Sequence, residues 1–283
     1  MKQDRPSQTA YRVAISRAAH QILDTPKVLD DPIALSIVGA EGAAIIHAGG
    51  RHFESALARR LRAFFVARSR FAEDELAEAI KRGVRQYVIL GAGLDTFAYR
   101  NPYLPSQLRV FEVDHPSTQA WKLKQLDAAK IPIPSALTFV PVNFETQTLA
   151  EQLQLAGFRM DEPTFFSWLG VTMYLTPEIV MATMKWVASS TTGGGGIVFD
   201  YITPFIRQSF FRRLRLRLLS YLLAPGEPWR AFFDPHVLTR ELKTIGFTQV
   251  VDRGPDDVNT RYFHKRADKL GVGGPVHLMS ARG

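Results

Sequence analysis

Two glycines and three acids, spaced as Gly91-Ala-Gly93-Leu-Asp95 and Glu112-Val-Asp114, are the residues of this 283-residue chain best placed to do chemistry together. Glycine has no Cβ, so a loop carrying two of them lets backbone approach a ligand closely. A carboxylate about 20 residues farther on suits a ribose, whose hydroxyls donate hydrogen bonds to it. Two features of phosphate readers are missing. A dinucleotide fingerprint needs a third glycine three positions after the second, where Thr96 stands, and no Gly-Lys-Ser/Thr follows to make a phosphate loop. The combination points to a nucleoside without phosphates.

Such residues need strands to hold them. Tyr87-Val-Ile-Leu90 is unbroken and apolar, as in a strand covered on both faces, and Arg109-Val-Phe-Glu-Val-Asp114 reads as a second strand with acids at its carboxyl end. Around them, helices are predicted over 9–22, 32–38 and 53–81, then strands 86–90, 108–113, 137–142, 164–168 and 196–201 alternating with helices 117–129, 146–156 and 177–188. A helix over 234–243 ending at Gly246 and strands 247–251 and 276–281 close the chain. Alternation of this kind means an α/β, doubly wound, mostly parallel seven-stranded sheet, with ligands outside the carboxyl ends of its strands. The expected organisation is one domain: a helical cap over 1–82, a core over 83–203, a lid insertion over 204–233, and closing elements over 234–283.

At this point the residues carry a resemblance. Ala67-Arg68-Ser-Arg70-Phe71, Gln86-Tyr-Val-Ile-Leu-Gly-Ala-Gly-Leu-Asp-Thr96, Phe111-Glu-Val-Asp-His-Pro116 and Met173-Tyr-Leu-Thr-Pro-Glu178 resemble, in order and spacing, the class I S-adenosylmethionine-dependent methyltransferases of the leucine carboxyl methyltransferase type. S-adenosylmethionine is a nucleoside without phosphates, in keeping with the loop. The resemblance implies that Arg68 grips the methionine carboxylate, a role suited to a guanidinium fork. It implies that Gly91 and Gly93 pass under the methionine and ribose portions, and that Asp114 holds the ribose. Glu112, two residues earlier on the same side of the strand, is the alternative ribose acid. Asp95 has two readings, an Asx bond to the loop backbone or a cofactor contact.

Two positions depart from the family pattern. Asn143-Phe144 stand where the pattern has Asp-Leu against the adenine, and an amide oxygen accepts from the adenine amino group more weakly than a carboxylate. Leu169 replaces a glutamate leading into the Tyr-Leu-Thr-Pro segment and offers no polar contact. These departures turn the expectation from a protein-carboxyl substrate towards the bacterial branch, which resembles small-molecule O-methyltransferases.

The implied reaction is direct methyl transfer to an acceptor oxygen. A carboxylate acceptor needs no base; a hydroxyl would benefit from one, and His20, His115 and Tyr174 are the candidates. Phe64, Phe65, Phe205, Phe210, Phe211, Trp229, Phe232 and Phe233 hint at an apolar or aromatic small molecule. The competing classes are a nicotinamide oxidoreductase, disfavoured by Thr96, a protein carboxyl methyltransferase, and a binding protein of this fold that has lost turnover, which Leu169 and Asn143 would suit.

With no cysteine, the chain has no disulfide, thiolate nucleophile or cysteine-ligated zinc, and no metal site is expected, since Ala48-Gly-Gly50 separates His47 from His52. The formal charge of +8 invites a nucleic-acid reading. Much of the excess is local, however: Arg207, Arg212, Arg213, Arg215 and Arg217 share a segment with Phe211, Leu214, Leu218 and Leu222 at helical spacing, as in a lid helix, a membrane-surface helix or a phosphate-binding face. No nucleic-acid motif accompanies it. Met1 to Pro6 lacks the apolar core of a secretory leader and no apolar run is long enough to span a bilayer, so a cytoplasmic location is expected.

Overall fold

A computed structural model describes residues 8–49, 53–144, 146–191, 193–204 and 229–283. Helices α1 (Gln8–Leu23), α2 (Ala34–Ile37) and α3 (Gly39–His47) precede the long α4 (Ala56–Lys81). Strands β1 (Gln86–Leu90), β2 (Arg109–Asp114), β3 (Leu137–Pro141), β4 (Thr164–Trp168) and β5 (Gly196–Ile202) then alternate with α5 (Pro116–Ala128), α6 (Leu149–Leu155) and α7 (Pro177–Ser190). The chain closes with α8 (Pro235–Thr244), β6 (Gln249–Arg253), α9 (Pro255–Tyr262) and β7 (Val276–Arg282). The sheet order is β3-β2-β1-β4-β5-β7-β6, with β1 to β5 parallel and β7 antiparallel to both neighbours.

Side-chain alternation divides the core between the two faces of this sheet. Tyr87 and Ile89 of β1 pack with Phe71, Leu76 and other residues of α4, whereas Val88 and Leu90 pack with Leu153 of α6, Val180 and Met184 of α7, and Leu238 of α8. A third cluster, built on Ala18, Ile37 and Ile46 of the N-terminal helices, extends to Leu94 in the glycine loop and Leu126 of α5.

The structure corrects several expected boundaries. The helix predicted from residue 53 starts at Ala56, because Ser55 is its N-cap and accepts from the Ala58 N–H at 3.2 Å. Helix α3 is absent from the sequence reading; it forms although Gly39 and Gly42 are poor helix formers, because burial of Ile46 against α1 and α2 overrides that propensity. Strand β6 starts two residues late because Phe247 still belongs to the end of α8. Its N–H reaches the Leu242 carbonyl and the Gly246 N–H that of Lys243, the paired bonds of a Schellman motif. Helix α9 lies where a loop was expected; Pro255 at its first position and the bond from Gly254 N–H to Asp257 are the signals that reading passed over. The Arg-rich segment 205–223, including Phe205, Phe210 and Phe211, lies outside the described residues. Phe64 and Phe233 are buried in the core.

Candidate active site at the carboxyl edge of the sheet

The first two strands end side by side, and their ends are tied together. The N–H groups of Gly91 and Ala92 donate to the Val113 carbonyl at 2.8 and 3.0 Å, so the glycine loop turns directly beside the end of β2. Gly91 has φ +70°, and a Cβ there would lie 2.4 Å from Val171 Cγ2. Both the conformation and the contact exclude a larger residue.

Asp114 completes this corner. Its Oδ2 accepts from Gly93 N–H at 2.6 Å and its Oδ1 from His115 N–H at 2.7 Å. Each carboxylate oxygen has two lone-pair sites, so half of the acceptor capacity remains for hydroxyl donors. Burial raises the carboxyl above its usual range, opposed by the two backbone bonds. Glu112 is engaged elsewhere. It is fully buried and accepts from Lys122 Nζ at 2.6 Å, while its Oε1 has no hydrogen-bond partner. Burial, outweighing Lys122, lifts it to about 7. Between the two acids, Asp114 is the one bonded to the glycine loop, through Gly93 N–H.

Asp95 makes the Asx bond, Oδ1 accepting from Phe97 N–H at 2.8 Å, and its other oxygen lies 3.8 Å from Arg17. Thr96, which displaced the dinucleotide reading, serves the cap: its hydroxyl donates to Asp31 at 2.6 Å and accepts from Arg17 at 2.9 Å, and Arg17 also reaches the Leu94 carbonyl. Ala10 of α1 lies over Gly93, 3.0 Å from where a Cβ would stand.

Arg68, midway along α4, is buried against β5. Its Nη1 donates to Asp200 at 2.9 Å, and the guanidinium lies 4.9 Å from the Phe65 ring centroid. Asp200 Oδ1 also accepts from Gly170 N–H at 2.5 Å. Gly170, at φ +74°, must lack a side chain, since a Cβ would stand 2.7 Å from Arg68 Nη2. Sequence reasoning missed Asp200, although Ile197-Val-Phe-Asp200 repeats the pattern that exposed Asp114, an acid near the carboxyl end of an apolar strand. Among the described residues, Arg68 Nε and Nη2 have no hydrogen-bond partner, which leaves a fork for an anion.

The remaining candidates lie on the same edge or away from it. Asn143 follows β3 with its N–H on Gln147, and Phe144 is 64 % exposed. Leu169 packs on the apolar core beside α4. Tyr174 ends a short 3-10 turn after β4. His115 caps α5, with Nδ1 2.8 Å from Ser117 Oγ. His20 is fully buried, with Nδ1 on Asp24 at 2.8 Å and Nε2 accepting from Val28 N–H at 2.9 Å, so both nitrogens are engaged.

Comparison with known proteins gives the family of the chain. Residues 10–188 match the leucine carboxyl methyltransferase family. The chain belongs to that family. This places it among the S-adenosyl-L-methionine-dependent methyltransferases. It is 33% identical to Bacillus subtilis (strain 168) YktD over 99% of each chain, and 36% identical to a Mycobacterium marinum protein over 68% of this chain and 65% of the relative. Both relatives are provisionally named as methyltransferases dependent on that cofactor. A Thermobifida fusca structure, provisionally described as a methyltransferase, shares the fold at a TM-score of 0.53 and 13% identity, covering 98% of this chain and 95% of its own.

This edge carries a loop with no room for a Cβ at Gly91, an acid with spare acceptor sites at Asp114 and a buried guanidinium with spare donors at Arg68, groups whose chemistry suits S-adenosyl-L-methionine. Two cavities of about 460 and 370 Å³ are lined by residues of α4, α9 and the segment between α9 and β7, the smaller also by Pro26, Lys27 and Val28, and neither is lined by Gly91, Asp114 or Asn143.

Proposed function

We propose that this protein transfers the methyl group of S-adenosyl-L-methionine to an oxygen, hydroxyl or carboxyl, of a small-molecule acceptor. The observation that supports the reading is the Asp114 carboxylate, held by Gly93 and His115 with one lone pair left on each oxygen. In this reading Asp114 takes the ribose hydroxyls, Arg68, steadied by Asp200, takes the methionine carboxylate, and Asn143 and Phe144 border the adenine. The cofactor supplies a methyl group activated on a positively charged sulfur. The protein's part is to hold the acceptor in line with it and to exclude water, an effect worth roughly 7–11 kcal/mol when alignment is good. A carboxyl acceptor needs no base. His20 is saturated by its own partners, so a hydroxyl acceptor would draw on His115 or Tyr174. Leu169, with no polar atom to offer, favours a small acceptor over a protein carboxyl group.

Thermal unfolding with S-adenosylmethionine, S-adenosylhomocysteine and NADH in parallel tests the cofactor half. At a hundredfold excess over its dissociation constant a ligand adds roughly 2.7 kcal/mol, or about 5 °C for a chain of this size. The two adenosyl ligands should raise the midpoint and NADH should not, and Asp114→Asn and Arg68→Lys should cut the shift to half or less. Incubation with methyl-labelled cofactor and a panel of hydroxyl and carboxyl compounds tests the rest; label released by alkali marks a methyl ester, and stable label an ether. Binding without transfer to any member would support the alternative, a binding protein that has lost turnover.

A further inference from the structure

The larger cavity, about 460 Å³, has a chemistry of its own. Phe263, Leu270 and Val272, all buried, form an apolar floor, and Arg59, Arg60 and Lys269 stand around it, with no carboxylate among the lining residues. Arg59 is occupied by Glu54 at 3.1 Å and by the Asp268 carbonyl. The side chains of Arg60 and Lys269 have no ion-pair or hydrogen-bond partner among the described residues, and both are exposed at the mouth. Arg60 lies across Gly273, whose Cβ would stand 3.5 Å from its Cδ and Nε. Lys269 is held at φ +54°, a conformation side chains rarely adopt, in a segment that packs Leu270 and Val272 inward.

The cavity's position connects it to the site already described. Strand β7 runs antiparallel to β5 and pairs Val276 with Ile202, so the segment leading into it arrives at the edge where the parallel strands end. The bond from Thr203 N–H to the Pro275 carbonyl, 2.8 Å, ties the two together there. Arg60 and Arg68 are eight residues apart on α4, roughly 12 Å along the axis at 1.5 Å per residue. The second cavity, beyond the same segment, is a poorer candidate because its cations are spoken for: Arg70 and Arg261 pair with Asp74, and Arg266 pairs with Asp268.

We propose that this cavity binds the anionic end of the methyl acceptor, which makes the substrate an acid with an apolar body, its carboxylate or phosphate held about two turns of α4 before the cofactor's anchor at Arg68. The inference rests on the methyltransferase reading for its substrate role. The apolar floor receives the body of the molecule, and the unneutralised Arg60 and Lys269 attract its charge, a contribution that weakens with salt.

The test uses the full chain and its Arg60→Ser/Lys269→Ser variant, both positions being exposed and outside the cofactor machinery. Octanoate, octyl phosphate and neutral octanol are titrated by calorimetry at low and high salt. Either anion should bind the wild type, octanol should bind at least tenfold more weakly, and the variant should lose about tenfold of the anion affinity. Whichever anion binds more tightly identifies the headgroup. Equal binding of octanol and both anions, anion binding that survives in the variant, or no binding at all would overturn the proposal. S-adenosylhomocysteine is titrated into the same two proteins: equal affinity in both shows that the cofactor site is intact, and absence of binding in both overturns the methyltransferase reading separately, since the anion titrations stand without it. In the transfer assay, acidic acceptors should show KM values about tenfold below their neutral counterparts in the wild type only; a preference shared by the variant would remove the cavity from substrate choice.

Discussion

The seam beneath the N-terminal helices and the corner around Asp114 both bury charge, but they use it differently. In the seam Asp24 and Asp31 each fill three of four acceptor sites within the chain: Asp24 takes both forks of Arg62 at 2.7 and 2.9 Å and a bond from His20, and Asp31 takes Arg17, Thr96 and the Ile33 N–H. At the corner, Asp114 has used half of its acceptor sites and Glu112 leaves one oxygen unpartnered. A buried polar group whose valences are mostly filled within the chain fastens one element to another; one with more left over is costly unless a ligand fills them. On the proposed function, the seam builds and the corner binds.

The largest expected effect comes from emptying the seam. Arg62→Met should lower stability by about 3–5 kcal/mol, because Asp24 is left buried without its partner, while the affinity of the folded fraction for S-adenosylhomocysteine should hold. Urea unfolding and calorimetry measure the two quantities; a loss below about 1 kcal/mol would break the comparison. Asp114→Asn should do the reverse. Cofactor affinity should fall roughly 10- to 100-fold, in line with about 1.5–3 kcal/mol for hydrogen bonds to a charged group, with a smaller change in unfolding midpoint.

The two regions should also respond oppositely to pH. Burial pushes Asp24 up, but the bonds from His20 and Arg62 outweigh it and leave the carboxyl at about 2, below its usual 3.8. Its contribution, about 2 kcal/mol, is therefore complete above pH 4 and lost as the pH falls towards 2. Glu112 has its folded value raised from 4.5 to about 7, so the folded state holds the proton more tightly and stability declines as the pH rises between those values. Glu112→Gln should flatten that decline in an unfolding series from pH 5 to 7; an unchanged slope would mean that Lys122 keeps Glu112 ionised. The smallest effect sharpens the boundary. Thr96→Val, within the ligand loop but bonded to the seam, should cost about 1 kcal/mol of stability and leave cofactor affinity unchanged.

Much of this candidate site was proposed from the sequence. The glycines and Asp114 stand in segments whose composition reflects local demands, a backbone that must turn tightly and an acid at a strand end, whereas Arg68 came from the family resemblance alone. Asp200 was overlooked, although its strand reads clearly, because the reason for an acid there is Arg68, 132 residues earlier. Thr96 was read only as a missing glycine, since its partners Arg17 and Asp31 are brought to it by the cap. His20 looked available as a base because nothing adjacent shows that Asp24 and Val28 enclose it. Helix α3 and the late start of β6 escaped for a similar reason: packing and a helix cap overrode the local pattern.

The sequence by itself determined the α/β alternation, the strand that leads into the glycine loop and the family, because each depends on residues close together in the chain or on motifs in fixed order. Only the tertiary structure decided which charges are spent and which remain. Hydrogen-bond capacity is consumed by whatever neighbours folding supplies, and those of Arg68, Thr96 and Glu112 come from other elements of the chain.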